Sequence, residues 1–247
     1  MRDMDIERSQ LGGVRTESLA LQAYWYFRRQ LMAGRYKPGE KIKLKDVSEE
    51  LGISATPIRE ALGRLVSEQA LFQIDRRSVR VPVMDAERYR EISDIRILLE
   101  GEGAERAALR STDGEIDQLE AIHERLCVAN DEGRAGDMMA ENERFHQALC
   151  SMAHMPVLLR VIENLWLQCG PTMNAFRDYP PRAPRAKHAH LKIIAAVRAH
   201  DGPAAREALA VDISYSVNRI VSYLAEEARR HDAPTPERSP MTNGAGP

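Results

Sequence analysis

The stretch Leu51-Gly52-Ile53-Ser54-Ala55-Thr56-Pro57-Ile58-Arg59-Glu60-Ala61-Leu62 decides the fold of the N-terminal part of this chain. Gly52 can take the left-handed conformation that ends a helix, so it predicts a tight turn at this point. Ser54 or Thr56 can cap a following helix, with Pro57 in its first turn, where a missing N–H costs nothing. The apolar face of that helix is Ile58, Ala61, Leu62 and Leu65. Helix, turn and helix together predict a helix-turn-helix.

The residues on either side complete this unit. Before it, apolar residues spaced i, i+3, i+7 predict two helices, separated by the chain-breaking Lys-Pro-Gly of residues 37–39. Their apolar faces are Tyr24, Phe27 and Leu31 in one and Leu44, Val47 and Leu51 in the other. After it, residues 71–74 and 79–81 predict two strands around the polar turn 75–78. Three helices and a β-hairpin form a winged helix-turn-helix.

Basic and hydroxyl side chains of this unit are candidates for contacts with DNA. Arg59 can donate two hydrogen bonds to guanine O6 and N7, or bind a phosphate. Ser54 and Thr56, together with a helix N-terminus, can hold a backbone phosphate. Lys45 opens the preceding helix and can reach the DNA backbone. Two arginines at the hairpin tip can probe the minor groove or bind adjacent phosphates. The candidate DNA-binding residues are Lys45, Ser54, Thr56, Arg59, Arg76 and Arg77.

Each of these residues also has a simpler interpretation. Arg59 can be an ordinary surface cation, Thr56-Pro57 an ordinary cap, and the lysines 41, 43 and 45 a solvated face. Charge distribution favours the DNA interpretation, because residues 14–82 carry 13 Lys and Arg against eight Asp and Glu, whereas the 247-residue chain has a net charge of −2. A basic N-terminal part joined to an acidic remainder is typical of a protein whose N-terminal part binds a polyanion.

After Pro82 the pattern is helical almost to the end of the chain. Ile92, Ile95 and Leu99 mark the apolar face of one helix, Thr112 and Glu115 predict a capping box that opens the next, and residues 178–184 predict a loop. Six antiparallel helices predict a bundle, so the fold class is mainly α, a winged helix-turn-helix followed by an all-α antiparallel helical bundle. We expect a DNA-binding domain over residues 14–82, an all-helical effector-binding and dimerisation domain over residues 86–226, and a disordered tail over residues 230–247, which is rich in Pro, Ser, Gly and Thr. No apolar run is long enough to span a membrane, and three dispersed cysteines predict a reduced, cytoplasmic protein.

Residues 37–42, 51–62 and 71–82 resemble the winged-helix domain of GntR-family transcription regulators, which implies binding to double-stranded DNA. Two positions depart from the family pattern. Ala55 stands where the family usually has an arginine that contacts DNA, and Ser78 stands where the wing usually has glycine. The first exchange predicts weaker or altered DNA contact, and the second puts the geometry of the wing turn in question.

The helical part resembles the FCD domain, the effector domain of the FadR subgroup of this family. The resemblance is carried by Asn142-Glu143-Arg144-Phe145-His146-Gln147-Ala148-Leu149, by His190-x-x-Ile193 and by Arg96-x-x-x-Glu100. In metal-binding members an Asp and three His hold a divalent ion. Position by position, the resemblance implies a site for Zn, Ni or Mn built from Asn142, His146, His190 and Asp212, with an amide and a carboxylate in place of the family's Asp and last His.

This resemblance also implies regulation by a small molecule. A metal with an open position would bind a carboxylic-acid effector, and Arg96 could add a charge-assisted contact, although an ion pair with Glu100 is its ordinary interpretation. The leading hypothesis is a homodimeric repressor on a palindromic operator, controlled by a small organic acid, and not an enzyme. The other histidines receive no role.

Two alternatives stay open on the sequence alone. One is a metal-dependent hydrolase built on the same four residues; the chain has no HExxH, nucleophile elbow or phosphate-cradling glycine loop to support it. The other is a helical interaction module that has lost its response to an effector, because two of the four expected ligands are exchanged.

Overall fold

The computed structural model describes residues 18–176 and 185–232. The N-terminal unit contains α1 (Leu19–Met32), β1 (Lys41–Lys43), α2 (Leu44–Leu51), α3 (Ala55–Ser67), β2 (Phe72–Asp75) and β3 (Ser78–Arg80). The C-terminal unit contains α4 (Ala86–Arg110), α5 (Asp113–Asp131), α6 (Ala135–Ser151), α7 (Pro156–Phe176), α8 (Arg185–Arg198) and α9 (Gly202–Asp232). Within the described ranges, no helix combines the length and the apolar character that crossing a bilayer requires.

The N-terminal unit has the winged helix-turn-helix that the sequence predicts. Gly52 ends α2 in the left-handed conformation, with φ 66°, and Ser54 is the N-cap residue of α3. Apolar residues of the three helices share one core, where each is at most 5% exposed. These residues include Tyr24, Phe27, Leu31, Leu44, Val47, Ile58, Leu62 and Leu65. Burial of this shared face fixes α3 against α1 and α2 and leaves its opposite face in solvent.

The wing is a three-stranded sheet rather than the two-stranded hairpin that the sequence predicts. Strand β1 pairs antiparallel with β3, and β3 pairs antiparallel with β2, giving the order β1-β3-β2. Within β1, Ile42 is buried opposite Val79, whereas Lys41 and Lys43 are exposed. A strand of three residues offers too few alternations to be recognised in a sequence, and its pairing depends on the distant β3.

The six described helices of the C-terminal unit form the expected bundle. Thr112 and Glu115 make the predicted capping box at the start of α5, and Pro156 opens α7. Helix α4 lies along α9, and its inner face differs from the expectation from the apolar pattern. Ile95 is 39% exposed, and the buried positions of this face are occupied by Arg96 and Glu100 together with Ile92. The core of the bundle therefore contains charge.

Helix α9 is longer than expected and reaches Asp232, so residues 230–232, which the sequence assigns to the tail, are helical. Arg230 lies within ion-pair distance of both Glu226 and Glu227, one helical turn earlier, and such pairs support a helix end. The rest of the predicted tail, residues 233–247, and the predicted loop 178–184 lie outside the described residues.

Helix α7 joins the two units. Trp166 is buried in the core of the bundle, whereas the next residue, Leu167, is buried in the core of the winged helix. The Asn174 amide donates to the Met32 carbonyl at the end of α1, with N to O 2.6 Å. Gly34, at φ 70°, passes so close to Asn174 that an added Cβ would lie 2.5 Å from it. One helix thus contacts both cores.

Candidate nucleic-acid interface and candidate metal centre

One open cleft on the winged helix is lined by basic side chains from α2, α3 and the sheet. We call these residues the cationic face: Lys41, Lys43, Lys45, Arg59, Arg76 and Arg77. Four of the six predicted DNA-binding residues are among them. All six side chains are exposed, as groups that meet a solvated partner must be.

The cations of this face are weakly engaged within the protein. The lysines lie 3.6–3.9 Å from the carboxylates of Asp75, Asp46 and Glu49, which are long distances between exposed groups. In the described part of the chain, the guanidinium groups of Arg59, Arg76 and Arg77 have no ion pair or hydrogen bond. These three cations are therefore available to an external anion at little cost.

Ser54 and Thr56 lie at the start of α3, next to the cleft rather than in its lining. Both side chains are exposed, and Ser54 makes no side-chain cap hydrogen bond. The first N–H groups of α3 consequently keep their capacity to bind an anion, which is the arrangement that holds a phosphate at a helix N-terminus. Ala55 lies in the lining, where the family's arginine is expected, and adds no charge there.

A second set of charged and polar side chains is enclosed in the bundle. We call it the buried cluster; its members are at most 6% exposed and are Arg96, Glu100, His146, His190 and Asp212. One Asp212 oxygen lies 3.2 Å from His146 Nε2 and 3.7 Å from His190 Nε2. Ligand atoms of these three residues all lie within 4.8 Å of one another. Helices α6, α8 and α9 thus bring together three of the four predicted metal ligands.

Glu100 contacts the His146 ring on the side opposite Asp212. Glu100 is a site residue that the sequence alone did not identify. It lies 2.8 Å from His146 Nδ1, and its other oxygen accepts from Arg96 Nε at 2.7 Å and from Trp166 Nε1 at 3.1 Å. The Arg96 guanidinium in turn stacks on the Trp166 ring, 3.9 Å from its centre. A carboxylate that receives Nδ1–H of a histidine directs the Nε2 lone pair toward a metal.

His190 is held by stacking rather than by hydrogen bonds. Its ring lies parallel to that of Phe145, with centroids 3.8 Å apart and an interplanar angle of 6°. Neither ring nitrogen has a hydrogen-bond partner among the described residues, although both are buried. Burial lowers the pKa of His190 to about 3, which leaves a neutral imidazole with an unused lone pair. An orphaned buried imidazole is the state that a bound cation would satisfy.

His146 has the opposite electrostatic environment. Burial alone would lower its pKa, but hydrogen bonds to Asp212 and Glu100 outweigh this effect and raise the pKa to about 9. The pKa of Asp212 is lowered, because the hydrogen bond from His146 and the nearby imidazoles overcome the effect of burial. Two nitrogen donors and one carboxylate are a donor set that Zn²⁺ and related ions accept.

The remaining predicted residues stand as follows. Arg96 makes the ion pair with Glu100 that is its ordinary interpretation, and its contact with an effector stays a prediction. Asn142 lies one helical turn before His146 and is half-buried, and its role as a fourth ligand also stays a prediction.

His123, which received no role, is buried with its ring 5.5 Å from that of His190. The sequence could not predict this proximity, because His123 lies on an ordinary amphipathic helix and no local pattern relates it to His190.

Comparison with known families matches most of the chain. A model described as bacterial regulatory proteins, gntR family, matches residues 19–81, and a model of the FCD domain matches residues 91–214. The chain is 33% identical over 202 residues to the HTH-type transcriptional regulator McbR of Escherichia coli K12, covering 81% of this chain and 91% of the relative. It is 29% identical to the HTH-type transcriptional repressor RspR of the same organism, covering 83% and 91%.

Solved structures agree with these matches. The structure of Escherichia coli McbR/YncC superposes with a TM-score of 0.78 at 29% identity and covers 86% of this chain and all of that one. A GntR regulator from Rhodococcus superposes with a TM-score of 0.72, covering 83% and 99%; at 18% identity it supports the fold alone. These relatives carry the names of regulators, so the hydrolase alternative receives no support.

Proposed function

Since this chain belongs to the GntR family of bacterial transcriptional regulators and carries an FCD domain, we propose that it is a repressor whose affinity for DNA is controlled by a small organic acid. The acid binds in the helical domain, at a metal held by the buried cluster. The cationic face binds the operator. The observation that carries the control part of this proposal is the buried, hydrogen-bond-free imidazole of His190.

DNA binding by the cationic face rests on charge and exposure. Arg59, from the second turn of α3, is assigned to a base edge, where a guanidinium can bind guanine in two places. Lys45, Arg76 and Arg77 are assigned to phosphates, and Ser54 and Thr56 to a phosphate at the start of α3. With Ala55 in place of a cation, base recognition depends mainly on Arg59.

Binding of the DNA upstream of this protein's own gene tests that assignment. Replacing Arg59 by alanine should weaken binding about 5- to 150-fold, the equivalent of about 1–3 kcal/mol. Replacing Lys45 by alanine should weaken binding to all sequences alike and reduce the slope of log affinity against log salt by about 0.9. Arg198→Ala is the control, because Arg198 pairs with Asp117 and Glu120 on the helical domain. Unchanged affinity in Arg59→Ala, or a salt slope near zero for the native protein, would overturn the assignment.

A divalent ion fits the buried cluster. His146, His190 and Asp212 would hold it, with Asn142 as the proposed fourth ligand, and Zn, Ni and Mn all accept these donors. When bound, such an ion supplies an open coordination position for the oxygen of a small anion. Glu100 fixes the His146 ring from behind, and Phe145 fixes the His190 ring by stacking.

The charges around the site favour an anionic effector. A histidine must be neutral to bind a metal, so His146 would lose its proton when the ion binds. The carboxylates of Glu100 and Asp212 would then oppose three positive charges, two of the ion and one of Arg96. A single carboxylate on the ligand balances the remainder, which matters because uncompensated charge in a buried site is costly. Another relative, 26% identical, is named as the candidate regulatory protein of an L-lactate dehydrogenase operon in Escherichia coli. That name supports small hydroxy acids as the first effectors to test.

Helix α7 supplies the connection between the two sites. Trp166 donates to Glu100, which contacts His146, whereas Leu167 and Asn174 contact the winged helix. A shift of Trp166 on effector binding would move a residue whose neighbour is part of the DNA-binding core. Coupling of this kind is reciprocal, so DNA must change the affinity for the effector by the same factor.

Two further parts of the proposal concern assembly and outcome. A homodimer would place two copies of α3 on a palindromic operator, as two-fold symmetric regulators do. The relative named as a transcriptional repressor supports repression rather than activation. Light scattering of the protein on its upstream DNA, with the footprint on both strands, would test the dimer: one protomer per site and an asymmetric footprint would contradict it.

A further inference from the structure

The tip of the wing is built without glycine. Arg76 and Arg77 form the exposed link between Asp75, the last residue of β2, and Ser78, the first residue of β3. In the described part of the chain, positive φ among residues other than glycine occurs only at Gln69, His154 and His200. The tip therefore needs no left-handed residue, and Ser78 in place of the family's glycine causes no strain. Something else must hold the turn.

Hydrogen bonds to the Asp75 carboxylate close this turn. One oxygen accepts from the backbone N–H of Arg77 at 2.7 Å, and the other accepts from the hydroxyl of Ser78 at 2.6 Å. Ser78 itself is 2% exposed, so this hydrogen bond ties the tip to a fixed part of the sheet. The Arg77 carbonyl accepts from the Leu44 N–H at 3.0 Å, which joins the same turn to the start of α2.

The carboxylate of Asp75 is electrostatically out of place. It lines the same cleft as the cationic face, where a negative charge repels phosphate. The hydrogen bond from Ser78 and that from the Arg77 N–H lower its pKa, so it is charged at neutral pH. Asp75 also lies 3.6 Å from Lys41 Nζ. Asp46 and Glu49 lie at similar distances from lysines, 3.9 Å from Lys43 and 3.7 Å from Lys45, but they hold no turn. The geometry of the turn, rather than the charge of the side chain, therefore explains why an aspartate occupies position 75.

We infer that Asp75 is a positioning residue for DNA binding: its side-chain oxygens hold the wing turn in the shape that presents Arg76 and Arg77 together on the cationic face. This inference rests on the proposed role of that face. It predicts that replacing Asp75 by alanine weakens DNA binding although a negative charge is removed, which is the opposite of what electrostatics alone predicts.

Two substitutions of equal charge separate geometry from charge. Asp75→Asn keeps an oxygen that can accept from the Arg77 N–H, whereas Asp75→Ala keeps none; both remove the carboxylate. With a short duplex of mixed sequence as the probe, Asp75→Ala should bind at least about fivefold more weakly than the native protein, with a salt slope smaller by about 1 to 2, because the phosphate contacts of the tip are lost. Asp75→Asn should bind as tightly as the native protein or more tightly, with its slope unchanged.

Glu49→Gln is the matched control for lost negative charge, and we expect it to bind as tightly as the native protein or up to about threefold more tightly. If Asp75→Ala and Asp75→Asn bind equally well, or if both bind more tightly than the native protein, Asp75 positions nothing and the inference is wrong. Arg59→Ala on the upstream DNA separates this failure from that of the proposed function. Unchanged binding there would mean that the cationic face itself is wrongly assigned.

Discussion

The cationic face and the buried cluster use charged residues in opposite ways. On the cationic face, the side chains of Lys45 and Glu49 form an i,i+4 pair at 3.7 Å and are 82% and 68% exposed. In the buried cluster, the side chains of Arg96 and Glu100 form a pair of the same spacing at 2.7 Å and are 3% and 0% exposed. Sequence spacing is identical, and only the surroundings differ.

The difference shows what each region can do. Exposed cations keep most of their hydration and exchange small ions for phosphates, so each contributes a modest and salt-dependent amount to binding. Buried charges have lost their hydration, so every one must be paired, and the loss of one partner strands the other. The first arrangement suits reversible contact with a polyanion, and the second suits a site with one defined state.

The largest expected effect comes from breaking the buried pair. Glu100→Ala leaves Arg96 uncompensated in the core and also removes the partners of His146 and Trp166, so the free energy of unfolding should fall by about 3–5 kcal/mol. Glu49→Ala removes the exposed partner at the same spacing and should leave stability unchanged. Urea denaturation of both variants measures the contrast. Similar losses in the two would mean that burial does not distinguish the pairs.

The next effect concerns the affinity for metal. His190→Ala removes a proposed ligand, so affinity for Zn²⁺ should fall by more than the roughly 10- to 100-fold that loss of a supporting residue costs. His154→Ala is the control, because the side chain of His154 is 54% exposed and pairs with Glu115, which is not part of the cluster. Competition with a chromophoric chelator gives both affinities. Equal affinities in native protein and His190→Ala would exclude His190 as a ligand.

A smaller effect should follow from weakening the connection between the two regions. Asn174→Ala removes the hydrogen bond to the Met32 carbonyl and should reduce stability by about 1 kcal/mol. Its more telling result is a separation of the winged-helix and bundle transitions in calorimetry. Gln168→Ala is the matched control, because that amide bonds to Asn164 within α7. A single sharp transition in both variants would argue against α7 as the connection.

Local sequence patterns were sufficient to predict the frame of the winged helix. Gly52, Pro57 and the apolar face around Ile58 and Leu62 each satisfy a rule that depends on a few neighbouring residues. Strand β1 escaped prediction because its pairing with β3 depends on residues far along the chain. The turn held by Asp75 escaped as well, since its side-chain hydrogen bonds replace the glycine that the wing pattern expects.

Prediction was less complete for the buried cluster. His146, His190 and Asp212 could be grouped only through the FCD resemblance, because they lie on three helices and no local pattern joins them. Glu100 and Trp166 belong to the same network but are 66 residues apart. Apolar periodicity assigned Ile95 to the core of α4, because it assumes that inner faces are apolar. The buried ion pair of Arg96 and Glu100 violates that assumption. In the sequence, only the i,i+4 spacing of these two residues indicates that they pair.

The central claim is that the buried cluster controls the DNA affinity of the cationic face. The most direct test measures binding to the DNA upstream of this protein's gene, with Zn²⁺-loaded protein and a panel of small hydroxy acids. At least one acid should change the affinity about 5- to 150-fold, and His190→Ala should bind the DNA but lose that response. The claim is contradicted if no acid changes the affinity of the loaded protein, or if His190→Ala responds like the native protein.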